Sequence, residues 1–130
     1  MRSRRWWWGL VVAYATFVLV GSLVPVAPSL SPGHFDKVEH LGEYLLFAWL
    51  LVQAIRLNHL RQREYLTLAW IYATSYGLLM ELLQIMVPWR SAEVLDAVAN
   101  AVGAALGVWL GERIPRKPHA RPQSTVHSPP

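Results

Sequence analysis

Residues 6–24 read Trp6-Trp7-Trp8-Gly9-Leu10-Val11-Val12-Ala13-Tyr14-Ala15-Thr16-Phe17-Val18-Leu19-Val20-Gly21-Ser22-Leu23-Val24, without one charged side chain. At ~1.5 Å per residue, a helix of this length crosses a ~30 Å hydrocarbon layer. A transmembrane helix is therefore predicted here. Trp6, Trp7 and Trp8 follow Arg2, Arg4 and Arg5 directly, which fits a membrane interface where indole rings sit at headgroup level. A secretory leader also carries basic residues ahead of an apolar run. This run exceeds the ~7–15 apolar residues of such a leader, and further apolar stretches follow it, so it is read as a span.

The remainder of the chain agrees with a membrane protein. Its 130 residues are 54% hydrophobic and only 15% charged, whereas roughly a quarter of the residues of a soluble domain are charged. A soluble domain of this length has too small an interior to hide so much apolar surface, and the length suits one domain. The absence of cysteine excludes disulfides and thiolate metal sites. The net charge is +4, but the basic residues lie in short loops and tails and not along an aromatic-studded helix face, so nucleic acid is not an expected partner.

Three more helices are predicted. The second, about 37–56, is uncharged only from Tyr44 to Ile55, too short alone to span, so its polar half needs shielding by protein or headgroups. The third runs from about 65 to 87 and stays uncharged until Glu81. The fourth runs from about 94 to 111 and carries Asp96 and Asn100 near its start. Pro88 and the few residues after it make the last two an antiparallel hairpin. The fold class is thus all-α, an integral-membrane four-helix bundle within residues 1–112. Residues 113–130, rich in proline and polar side chains, are expected to form a disordered basic tail.

Positive charge sets the expected orientation. With the N-terminus cytoplasmic, the N-terminal arginines, Arg56, Arg61, Arg63, Arg113, Arg116, Lys117 and Arg121 all lie inside, and only Lys37 and Arg90 lie outside. Both termini are then cytoplasmic, and the chain sits in the inner or plasma membrane with the lipid bilayer as its surroundings.

On this topology a set of costly groups gathers at one level. Counting from Tyr65 at the inner surface, Glu81 stands roughly 24 Å higher and Gln84 roughly 28 Å, near the outer hydrocarbon boundary. Asp36, Lys37, His40 and Tyr44 enter the second helix from that same side, and Arg90, Asp96 and Asn100 precede or enter the fourth. Spacing puts Asp36, His40 and Tyr44 on one face, Glu81 with Gln84 on another, and Asp96 with Asn100 on a third. Ionisable groups at membrane depth need a partner or a purpose. Gly103, Gly107 and Gly111 repeat every four residues, with Ala73 and Gly77 on the third helix, a small-residue pattern that lets helices approach closely. The neighbour is either this chain or a second copy in a homo-oligomer.

Ser22 with Pro25, Asp36-Lys37 followed by His40 and Tyr44, Glu81 with Gln84, then Arg90, Asp96, Asn100 and Gly103 form a series that resembles the VanZ-like family. These are small bacterial membrane proteins, named for one associated with teicoplanin resistance. Order and spacing agree from about residue 10 to residue 112, and the tail after Pro115 lies outside the match. The resemblance implies a multi-helix membrane domain of the cell envelope and, for some relatives, lowered sensitivity to glycopeptide antibiotics. It implies no defined reaction.

Several uses of the polar set are open at this stage. The charged groups can pair for helix register alone, Arg90 with Glu81 or Asp96 and Lys37 with Asp36 or Glu39. They can instead bind a lipid-linked precursor or a glycopeptide-related ligand. As an enzyme, Glu81 or Asp96 would act as base, His40 would carry protons, and Arg90 would hold a phosphate or carboxylate. No nucleophile motif accompanies them, and a proton-coupled transport path would need several copies of so short a bundle. His40, Asp36, Glu81 and Asp96 are residue types that ligate divalent cations, yet a two-His-plus-carboxylate spacing is absent, so neither metal nor cofactor is expected.

Overall fold

A computed structural model describes residues 2–25, 34–58, 60–89 and 93–114, with side chains from Arg4 in the first stretch and from Lys37 in the second. Asp36 therefore contributes only its backbone. Arg90 and the tail from Pro115 onward lie outside the described residues.

Four helices follow one another: α1 (Arg2–Leu23), α2 (His34–Ile55), α3 (Gln62–Ile85) and α4 (Val94–Arg113). All four are long and apolar enough to cross a membrane. A helix stands at each of the four predicted positions. The limits differ mainly where helix continues past the apolar run into polar ends, by four residues at Arg2 and three at His34 and Gln62. Hydrophobic stretches mark what lipid requires, whereas backbone hydrogen bonding continues past it.

Local chemistry sets the ends. The Arg61 N–H at the entrance of α3 donates to the Glu64 carboxylate at 3.0 Å, satisfying one of the donors a helix start leaves unpaired. At the far end, Met86 N–H donates to Leu83 O at 3.1 Å and Val87 N–H to Gln84 O at 3.0 Å. This tightened last turn halts before Pro88, which has no N–H to continue it. Asp96 stands in the first turn of α4, where a carboxylate meets the positive end of the helix dipole.

Successive helices run up and down. At one end Arg4 of α1 donates to Asn58 after α2, Gln62 of α3 to Glu112 of α4 at 2.8 Å, and Arg56 Nη1 to the Gly111 and Ile114 carbonyls at 3.4 Å. The last pair covers carbonyls that the end of α4 leaves open. At the opposite end Trp89 reaches Leu23 O, and Lys37 bridges to Glu93 and Asp96. Arg4, Arg56, Arg61, Arg63 and Arg113 thus share one end with the start of α1 and the finish of α4, while Lys37 stands at the other.

α2 is the central element. Of its spanning window 56% is buried inside the protein, against 17% for α1. α2 lies against α4 through glycines. A Cβ on Gly103 would fall onto the Leu41 carbonyl, one on Gly107 onto the Leu45 carbonyl, and one on Gly111 within 2.8 Å of the Val52 side chain. The small-residue row thus finds its neighbour within this chain. α1 leans on the bundle through larger groups: Trp7 on Trp49, Tyr14 on Phe47, and Tyr76 of α3 donating to Ala15 O at 2.6 Å. The polar half of α2 is shielded by α3 and α4, which is why a segment with so short an uncharged run can lie at the centre of an apolar bundle.

Candidate functional site

The site stands at the end of the bundle marked by Lys37. α2 presents Lys37, His40 and Tyr44 at spacings of three and four residues, so all three share a face. α3 presents Glu81 and Gln84, and α4 presents Asp96 and Asn100, on the same rule. His40, Tyr44, Glu81, Gln84, Asp96 and Asn100 are all buried. Six polar side chains from three helices therefore meet where a water-poor interior makes every unmet polar atom costly.

Asn100 is the hub. Its Oδ1 lies 3.1 Å from His40 Nδ1, and its Nδ2 donates to Glu81 Oε1 at 3.3 Å. An amide has both a donor and an acceptor, so one side chain can join an imidazole on α2 to a carboxylate on α3. If Asn100 accepts through Oδ1, the His40 proton is on Nδ1. His40 Nδ1 also lies 4.0 Å from Glu81 Oε1. Nearer the end of the bundle, Lys37 Nζ lies 2.8 Å from exposed Glu93 and 3.4 Å from buried Asp96. The hydrogen bond from Lys37 holds the Glu93 carboxyl below its ordinary value.

Glycines make this proximity possible. Gly103 lets α4 settle against the backbone of Leu41, next to His40, and so brings Asn100 within reach. At Gly77 a Cβ would lie 3.0 Å from Asn100 Cβ, 3.1 Å from Asn100 Nδ2 and 3.0 Å from Tyr44 Cε1. The missing side chain of Gly77 is the space into which Tyr44 and Asn100 fit side by side.

Of the residues expected to gather, Lys37, His40, Tyr44, Glu81, Gln84, Asp96 and Asn100 are brought to one end, and five of them to direct or shared contacts. The Tyr44 hydroxyl and Gln84 Nε2 are buried with no hydrogen-bond partner among the described residues. Lys37 engages Glu93, at the N-cap of α4, and Asp96 in its first turn, partners across the bundle and not ones beside it on α2. Residues one or two apart on a helix point away from each other, whereas the start of α4 stands across from Lys37. Glu93 is the member that sequence reasoning missed. Its only signal is position, an acid just ahead of an apolar run that enters the membrane at the Lys37 level.

One ligand atom from each of His40, Glu81 and Asp96 lies within 4.8 Å of the others. These three residues come from three helices, so their grouping leaves no short spacing in the sequence. Chemically the set offers an imidazole, two carboxylates and an amide with a cationic neighbour, suited to holding protons, a cation or an oxygen-rich ligand.

No curated protein and no solved structure matches the chain significantly. A family model, described as VanZ/LLP1, matches residues 4–114, which takes in all four helices from Arg4 onward and every side chain of the cluster. On that match the chain belongs to the VanZ/LLP1 family.

Proposed function

We propose that this protein is a multi-pass protein of the cell membrane, with both termini cytoplasmic and the polar cluster opening outward, where it binds the head group of a lipid-linked cell-wall precursor and so alters sensitivity to glycopeptide antibiotics. The observation that carries the reading is the convergence of six buried polar side chains from α2, α3 and α4 at one level of an apolar bundle. Intramembrane ionisable residues mark ligand or proton paths by default. The arginines at the opposite end support the orientation, because loops rich in Lys and Arg stay cytoplasmic. Lys37, together with Arg90, supplies the positive charge that phosphate or carboxylate on such a head group requires.

The test replaces Glu81→Gln, Asp96→Asn and Arg90→Ala in cells that depend on the protein for glycopeptide tolerance. Loss of tolerance at unchanged membrane abundance is expected. Unchanged susceptibility with intact folding removes the reading.

His40, 4.0 Å from Glu81 and bonded to Asn100, favours a second reading, acid and base chemistry on that same class of precursor. Purified protein would then convert the precursor, and the conversion would vanish in His40→Ala while helix content survives.

A further inference from the structure

A cavity of about 590 Å³ opens at the arginine-rich end of the bundle, between the start of α3 and the finish of α4. Arg61, Gln62, Arg63, Glu64, Leu66 and Glu112 line it. Its two acids are engaged within its own rim, where Glu64 accepts from the Arg61 N–H at 3.0 Å and Glu112 from Gln62 Nε2 at 2.8 Å. Among the described residues, no ion pair joins the Arg61 or Arg63 guanidinium to a carboxylate. A guanidinium is a planar fork of donors that matches the oxygens of a phosphate. Arg4, Arg56 and Arg113 stand at the same end, so the field over the cavity is positive.

The cavity continues into an apolar groove between the same two helices. Leu66 belongs to both, and beyond it Thr67 and Trp70 of α3 stand beside Ala105 and Val108 of α4. Trp70 Nε1 donates to Ala101 O at 3.3 Å, which settles the one polar atom of the indole on protein and leaves its ring as an apolar wall. The alanines leave the recess open. Glu112 and Val102 stand ~15 Å apart along α4, half the depth of a ~30 Å hydrocarbon layer. Cavity and groove together thus have the profile of one leaflet, with charge at head-group level and apolar surface beneath it.

That profile selects its occupant. Beyond α4 the sequence brings Arg116, Lys117 and Arg121, the same sign as the cavity, so the chain's own C-terminal stretch does not complement it. A second copy would bring the same arginines. An anionic phospholipid supplies both the opposite charge and a hydrocarbon chain, and basic pockets between membrane helices hold such head groups.

We infer that the cavity at Arg61 and Arg63 and the groove along Trp70 hold one anionic phospholipid of the adjoining leaflet, its phosphate on the two guanidiniums and one acyl chain against Trp70 and Ala105. The site lies at the opposite end of the bundle from the polar cluster. It therefore stands or falls apart from the function proposed for that cluster.

The full chain in neutral detergent is titrated with phosphatidylglycerol and, separately, with phosphatidylcholine, and bound lipid is counted by native mass spectrometry. One phosphatidylglycerol per chain is expected, held more tightly than phosphatidylcholine. Arg61→Gln and Arg63→Gln should each weaken it about fivefold, the worth of one basic residue at an anionic lipid surface. Ala105→Phe, which fills the groove at an exposed position, should weaken it by a similar factor without changing its dependence on salt. Arg4→Gln, at the same end but outside the cavity, should bind like the parent. Equal affinity for the two lipids overturns the inference. So does a loss in Arg4→Gln as large as in Arg61→Gln, which marks diffuse attraction to the whole end, and so does unweakened binding in folded Ala105→Phe. Displacement of the lipid by inorganic phosphate at equal concentration would reduce the site to an anion cavity and overturn the lipid. Arg61 and Arg63 are exposed, so their variants keep the fold, and they decide with the lipid comparison should Ala105→Phe not fold.

Discussion

α1 and α2 are both apolar helices of 22 residues, yet they are used in opposite ways. α1 has the long uncharged run and touches the rest through a few large aromatic side chains. α2 has the shorter run, carries Lys37, Glu39, His40 and Glu43, and is the most buried helix of the bundle. In water the more apolar segment would be the core. In a bilayer lipid is as apolar as leucine, so apolar character marks what lipid touches, and small or polar residues mark what protein touches.

The largest expected effect separates the two kinds of contact. Gly107→Ala puts a methyl group onto the Leu45 carbonyl, backbone that cannot rotate away, so α4 must shift. A loss of about 3 kcal/mol is expected, the upper part of the usual overpacking range. Gly21→Ala on α1 meets nothing within 4 Å and should be neutral or mildly stabilising. Thermal denaturation of both variants in the same detergent compares them directly, and equal midpoints would break the contrast between seam and periphery.

A middle-sized effect is expected at Asn100. Asn100→Leu removes the amide joining His40 to Glu81 and leaves both without that partner, which should cost about 2 kcal/mol. If stability is unchanged, the polar end is not held by this hub.

The smallest effect concerns the exposed pair. Contact with Lys37 lowers the Glu93 carboxyl, so its contribution to stability is present above the ordinary glutamate range and is lost as pH falls through the lowered value. Glu93→Gln should therefore flatten the acid side of the stability profile slightly and leave neutral pH little changed. Exposed pairs contribute little, because water and salt screen them. A Glu93→Gln profile that matches the parent at every pH would show that the pair contributes nothing.

Much of this was legible in the residues. Uncharged runs located α1 and α3, because the hydrocarbon layer imposes a minimum length on any span. Helical spacing put His40 with Tyr44, Glu81 with Gln84 and Asp96 with Asn100, because one turn fixes which side chains share a face. Pairings across helices were not legible. Which amide joins His40 to Glu81, and why Lys37 turns to Glu93, depend on how far each helix is rotated and slid against its neighbours. No single segment encodes that. The grouping of His40, Glu81 and Asp96 escaped a spacing rule for the same reason.

The glycine row of α4 has a mechanical consequence. Leu41 and Leu45 lie one turn apart on α2, as Gly103 and Gly107 do on α4, so two carbonyls rest in two notches cut at the same pitch. α2 and α4 run in the same direction, and sliding one along the other by part of a turn would lift both carbonyls out of their notches. Only whole-turn steps of ~5.4 Å clear such teeth. One step would carry His40 past Asn100 to the level of Ala104, where nothing can accept or donate. The seam thus behaves as a detent, and the polar end exists at one setting of it.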